Sequence, residues 1–276
     1  MSGAVTGVAG DRRIRATFDA VRAEGRRAAL MPYLMGGFPD PERSLAIGLA
    51  CAEHGADLLE LGIPYSDPLA DGPVIHEAGS RALAAGVRTG DVLEVARGLA
   101  EVVPVVIMCY ANLVFARGTE RFVAELAERG VSGLIVPDLP LEEAPDVLAA
   151  CDARGIALVP LVAPTTPPER LQAIGARARG FVYTVAVLGT TGERAGVDAT
   201  MGDVLARTRA ATDVPVALGF GISTPDDAAA AAAAGADGVI VGSRLVRAAA
   251  EAADAGEDPA AAVGSVVAAL SGALAR

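Results

Sequence analysis

The sequence predicts an α/β chain, a single (β/α)8 barrel spanning residues 1–276 with an extra helix ahead of the first strand. Three observations carry this reading. Apolar runs recur eight times, near residues 30, 58, 105, 134, 157, 181, 216 and 238, each followed by helical sequence. Their near-continuous hydrophobicity is that of parallel strands covered on the outside. Many open on the same junction, a helix ending in Gly and then one or two linking residues, as in AEHGADLLELG and AAGADGVIVG. A doubly wound open sheet is the alternative, but it wants its glycine fingerprint after strand one, whereas the Gly-rich turns here follow strands six, seven and eight.

Residues 1–10 read as a loose lead, and Asp11 to Gly25 as an amphipathic helix. The first strand, Ala28 to Met35, is closed by Gly36, Gly37 and Pro39. The second lies in LELGIPYSDPLADGP, Leu59 to Pro73. Strands three and seven, PVVIMCY from Pro104 and PVALGFG from Pro215, begin at prolines that follow helices. AERGVSGLIVPD, DARGIALVPLVAP and ARARGFVYTVAVLG hold strands four, five and six. Ala228 to Ala234 is an alanine run suited to helix after Ser223/Thr224 as cap and Pro225 at the first position. The tail from Asp258 to Arg276 is apolar at helical spacing and is expected to close the base or flank of the barrel.

Composition bounds the function. With 276 residues and 52% hydrophobic side chains the chain buries one large core. No segment has the length and apolarity of a membrane span, and the first residues lack the order of a secretion signal, so a cytoplasmic protein is expected. Cys51, Cys109 and Cys151 are widely spaced in apolar segments, which points to buried thiols and to neither a disulfide framework nor a metal knuckle. A net charge of -11 argues against nucleic-acid and acidic-membrane surfaces.

The chemistry is expected at the carboxyl ends of the strands. Glu60 is an acid on an apolar strand, and strand alternation puts it on the face of Leu58. If that face is the interior, burial raises its pKa and suits it to proton transfer; a structural acid paired with Arg is the bland alternative. Asp71, on the stiff loop that follows, is a second candidate carboxylate, and both it and Asp67 also fit turn-forming roles. GTTGE at Gly189, GFGIS at Gly219 and VGSRLV at Val241 are three glycine turns on successive strands, suited to holding a phosphate on backbone N–H groups, with Ser223 or Ser243 adding a hydroxyl. Tyr33, Tyr183 and Phe220 are placed to form a slot for a flat ring. Tyr110, Asn112, Asp138 and Pro140 follow strands three and four and either line the pocket or face a partner. His54 and His76 have no ligand-spaced companion, so no metal is expected.

Four segments, LELGIPYSDPLADGP, MCYANLVF, VPDLPLEE and GFGIS, make the chain from about Arg27 to Ala249 resemble the α subunit of tryptophan synthase. The resemblance implies a barrel that cleaves indole-3-glycerol phosphate to indole and glyceraldehyde 3-phosphate without a cofactor of its own. By motif position, Glu60 and Asp71 match the catalytic carboxylates and Tyr183 the pocket tyrosine. Gly192, Gly221, Gly242 and Ser243 match phosphate-binding positions. Asn112, Asp138 and Pro140, with Tyr110, match surfaces that meet a β subunit carrying pyridoxal phosphate, the two forming an αββα complex, and the stretch holding Pro64 and Asp67 is a candidate route to it. Two departures stand out: Ala186, Val187 and Thr190 replace the usual residues of a loop that retains Thr191 and Gly192, and Met35 stands where Thr or Pro is usual. The altered loop motivates one alternative, a stand-alone lyase that releases free indole; a second alternative of a different class is a non-catalytic allosteric partner, against which the retention of Glu60 and Asp71 argues.

Overall fold

A computed structural model describes residues 10–185, 194–219 and 221–275. The chain begins with α1 (Gly10–Ala23), β1 (Ala29–Met35), α2 (Pro41–Glu53), β2 (Leu59–Gly62), α3 (Pro73–Ala84), α4 (Thr89–Ala100) and β3 (Val105–Met108). It continues through α5 (Ala111–Arg117), α6 (Thr119–Glu128), β4 (Gly133–Ile135), α7 (Pro145–Arg154), β5 (Ala157–Val159), β6 (Leu161–Val162) and α8 (Pro168–Arg177). The last third holds β7 (Val182–Val185), α9 (Arg194–Ala210), β8 (Val216–Gly219), α10 (Pro225–Ala233), β9 (Gly238–Val241), α11 (Ser243–Ala255) and α12 (Pro259–Leu274).

Every strand pairing is parallel, and the order β5-β4-β3-β2-β1-β9-β8-β7-β6 runs almost full circle. Its two ends, β5 and β6, are consecutive in the chain. They are the predicted fifth strand cut at Pro160, which has no N–H to donate, although its carbonyl still accepts from Tyr183 N at 3.0 Å. β5 pairs with β4 and β6 with β7, so the ring closes through this strand and the eight-stranded barrel expected from the sequence is the fold observed.

The amino-terminal helix closes the base. Ile14 and Phe18 of α1 are buried, and the Phe18 ring lies 6.1 Å from Phe181 at the start of β7. Asp11 fastens the helix by accepting a hydrogen bond from Gly180 N at 2.7 Å. Space is so tight that a Cβ on Gly238 would come within 2.6 Å of Met31 Sδ and 3.1 Å of Phe18. The tail takes the flank: α12 packs against α2, α10 and α11. At the start of β1, Asp57 binds Arg26 through both oxygens, at 2.6 and 2.8 Å, and also accepts from Leu30 N. α10 is capped by Thr224 in a reciprocal box with Asp227, so the alanine run forms the expected helix. Cys51, Cys109 and Cys151 are buried free thiols.

Candidate active site

The β2 register sets Glu60 beside Tyr33 of β1 and Val106 of β3. Neighbours in register share a face, so Glu60 points with Tyr33 into the barrel. It is 0% exposed, and neither carboxylate oxygen has a hydrogen-bond partner among the described residues. Burial therefore holds its pKa well above the usual carboxylate range. The shift favours the carboxylic acid, the form with a proton to give, over a wider pH range than for an exposed carboxyl. The hydroxyl ends of Tyr33 and Tyr183 lie against Gly62 and Gly219, at the space a Cβ would fill. Both tyrosines are held neutral, first by burial; Asp71 and then Glu60 add to this at Tyr33, and Glu60 then Tyr33 at Tyr183. Tyr33 is thus within electrostatic reach of both carboxylates.

Asp71 sits on the loop after β2 and is half-buried. Tyr110 Oη donates to Asp71 Oδ1 at 3.0 Å and accepts from Ala70 N at 2.9 Å. Its ring leans on Tyr65 at 5.1 Å. The phenol thereby fixes the loop by two hydrogen bonds and one ring contact. Burial raises the Asp71 pKa, while the Tyr110 hydrogen bond and the nearby His76 pull it back. In Tyr110→Phe the donor is lost, so Asp71 is expected to titrate at higher pH than in the wild type; carboxyl-carbon NMR across a pH series checks this, and an unmoved titration refutes it.

Above the two tyrosines opens a cavity of about 230 Å³. Ile75, Met108, Ile222 and Ile240 give it apolar walls, and Asp71 stands at one side. Of the residues singled out in the sequence, Tyr33, Asp71, Tyr183, Gly221, Gly242 and Ser243 all line this one space. Glu60, fully buried, is not among its lining residues, and Tyr110 is one layer out, bonded to Asp71. Phe220 and Gly192, with the departures at 186, 187 and 190, lie outside the described residues. Ser223 lines the cavity, but its N–H and hydroxyl both donate to Asp227 Oδ2 at 3.1 Å. Arg244 and Arg247 also line it, and the sequence reading missed both. The signal was available as two arginines three apart at the start of the helix after the last strand.

Beyond the cavity, Asp67, Asn112, Asp138 and Pro140 are exposed and Pro64 is buried. Asp138 Oδ1 accepts from Ala111 N at 2.8 Å and so anchors the start of α5. Leu69 on the Asp71 loop and Phe115 on α5 are 84% and 53% exposed, two apolar side chains that the sequence reading passed over. No cluster of three or more metal-binding side chains occurs among the described residues.

A closed ring of parallel strands, with an acid under the pocket and glycine turns at its carboxyl end, defines a (β/α)8 barrel of the kind that carries acid-base chemistry at that end. Comparison narrows the class. Residues 18–273 match the family model described as the tryptophan synthase alpha chain. The chain is 50% identical over 237 residues to the tryptophan synthase alpha chain of Prochlorococcus marinus, covering 85% of this chain and 86% of that one. It is 47% identical over 238 residues to that of Methanosarcina acetivorans, covering 86% of each. Among solved structures, a Mycobacterium tuberculosis tryptophan synthase matches with a TM-score of 0.87 at 38% identity, over 96% of this chain and 98% of that one. The tryptophan synthase subunit alpha of Legionella pneumophila matches with 0.87 at 35%, over 95% and 98%. The chain belongs to the tryptophan synthase alpha chain family.

Proposed function

We propose that this chain is the lyase subunit that splits indole-3-glycerol phosphate into indole and glyceraldehyde 3-phosphate in tryptophan biosynthesis. The observation that carries the reading is the pairing of two unlike carboxyls about one pocket: Glu60, fully buried without a hydrogen-bond partner among the described residues and with its pKa raised, and Asp71, half-buried and hydrogen-bonded. Two acids whose environments push them apart are suited to different roles in one reaction.

The reaction follows from the substrate's chemistry. The protonated Glu60 gives its proton to C3 of the indole ring, leaving a positive charge shared with the ring nitrogen. Asp71 accepts the ring N–H and stabilises that charge where it develops. The Glu60 carboxylate, now ionised, takes the proton from the hydroxyl on the adjacent side-chain carbon. The bond from C3 to that carbon breaks, its electron pair returns to the ring, and an aldehyde forms. Glu60 ends protonated, as it began, and no cofactor in this chain is needed. Because Glu60 is fully buried and does not line the cavity, as Tyr33 and Tyr183 do, its side chain must turn, or the tyrosines must yield, for the first transfer. The apolar walls suit the ring, while Gly221, Gly242 and Ser243 suit the phosphate.

The partner in this reading is the β chain of the synthase, which carries the pyridoxal phosphate. Leu69 and Phe115, near Asp67 and Asn112 in sequence, are exposed apolar side chains that a second chain would bury. Asp138, which anchors the start of α5, and Pro140 are also exposed, while Pro64 is buried. Purified chain supplied with indole-3-glycerol phosphate is expected to release indole, and to do so faster when a β chain is added. No indole with or without the β chain overturns the lyase reading; indole release that is indifferent to the β chain favours the stand-alone alternative.

A further inference from the structure

Where β5 and β6 part at Pro160, the helices outside them part as well. α7 packs on α6, and α8 packs on α9. Between α7 and α8 lies a cavity of about 150 Å³, lined by the chain after β4, by both helices and by the two strand pieces. Leu158 reaches it from β5: Ala157 is in register with Gly133 and, through Val106, with Glu60, so it shares their inward face and its neighbour Leu158 turns outward. Leu139, Leu148 and Ile174 line the other sides, and no acidic side chain among the described residues lines it. Its two arginines are exposed and engaged at the edge. Arg170 binds Glu142 through both carboxylate oxygens, at 2.8 and 2.9 Å, and Arg177 reaches Leu141 O at 3.4 Å. Pro137 and Leu161 line this outer cavity and the catalytic one, so the two share a wall.

We infer that the outer cavity is a second site for a neutral aromatic ring, and that indole is its ligand. Packed interiors hold few voids larger than a water molecule, because the atoms around a void lose contacts they would otherwise make. Apolar cavities of about 150 Å³ stay dry and take up benzene, so this one has the size and the walls for a flat ring. A charged occupant would have to break the Arg170–Glu142 pair or shed its water among leucines without a partner, and a neutral one meets neither cost. Indole fits this description, and the proposed reaction releases it on the other side of the wall formed by Pro137 and Leu161. The choice of indole rests on that reaction; the ring-sized apolar site does not.

Methyl NMR on the full chain separates the two sites, because each has reporters of its own. Of the two cavities, Leu148, Leu158 and Ile174 line the outer alone, and Ile75, Ile222 and Ile240 the catalytic alone. Indole titrated into wild type is expected to shift both sets, each saturating with its own affinity, because a bound ring displaces the resonances of the methyls it faces. In Ala144→Phe, where the new ring occupies the outer cavity, the Ile174 and Leu148 shifts should be lost while those of Ile240 persist. Outer reporters that stay put while Ile240 saturates overturn the inference, as do Ile174 shifts that survive unchanged in folded Ala144→Phe. If Ala144→Phe gives no native methyl spectrum, Leu148→Phe replaces it, read at Ile174 and Leu158. Benzene titrated in parallel isolates the choice of ligand: outer shifts with benzene and none with indole overturn indole as the occupant. Failure of the lyase reading is recognised separately, as chain that releases no indole from indole-3-glycerol phosphate while its outer reporters still respond to the rings.

Discussion

Glu60→Gln is expected to lower the rate of indole release by at least about a hundredfold, the contribution typical of a positioned general acid-base group. Gln fills the same space and cannot give or take the proton, so the loss should appear in kcat while the protein remains folded. Stability supplies an independent check with a defined sign. Burial raises the Glu60 pKa in the folded chain, so between the unfolded carboxyl value of about 4.3 and the raised folded value only the unfolded state releases this proton. Folding stability then falls as pH rises through that window and levels off above it. Denaturant titrations across pH should display this slope in the wild type and a shallower one in Glu60→Gln. A folded Glu60→Gln protein with wild-type turnover removes Glu60 from the proton path.

Asp71→Asn is the second large expected effect. The amide keeps the size of the side chain and accepts a hydrogen bond from Tyr110, but it carries no charge for the ring nitrogen to lean on. Removing one such stabilising group costs on the order of a hundredfold to a thousandfold in kcat. Asp71 lies on a loop and is half-buried, so the melting temperature is expected to move little. The outcome that separates this role from a purely structural one is a kcat deficit in protein that still binds indole with wild-type affinity. Full turnover in Asp71→Asn would restrict Asp71 to shaping the loop.

Much of the fold was legible because its signals are local. Eight apolar runs with glycine or proline at their junctions dictate parallel strands and covering helices, and each run is a strand in the structure. Pro160 was visible too, but whether a proline ends a strand or only interrupts it depends on which neighbours pair on either side, and pairing is not local. Glu60 could be found because an acid in an apolar strand is costly unless used or neutralised. Tyr110 could not be placed: its residue type fits a pocket wall equally well, and only the course of the Asp71 loop turns its hydroxyl toward that carboxylate. Arg244 and Arg247 escaped notice because arginine near the start of a helix is ordinarily a solvated surface residue.

The plug at the barrel's base sets a condition on how the chain reaches this structure. Asp11 grips Gly180, 169 residues further along, and Phe18 meets Phe181 and the Gly238 backbone. The helix that carries them leaves the ribosome well before the strands it seals. Until those strands are made, Ile14 and Phe18 have no interior to enter and remain greasy surface in solution. Closure of the base is thus a late, long-range event, of the kind that slows folding and exposes intermediates to aggregation.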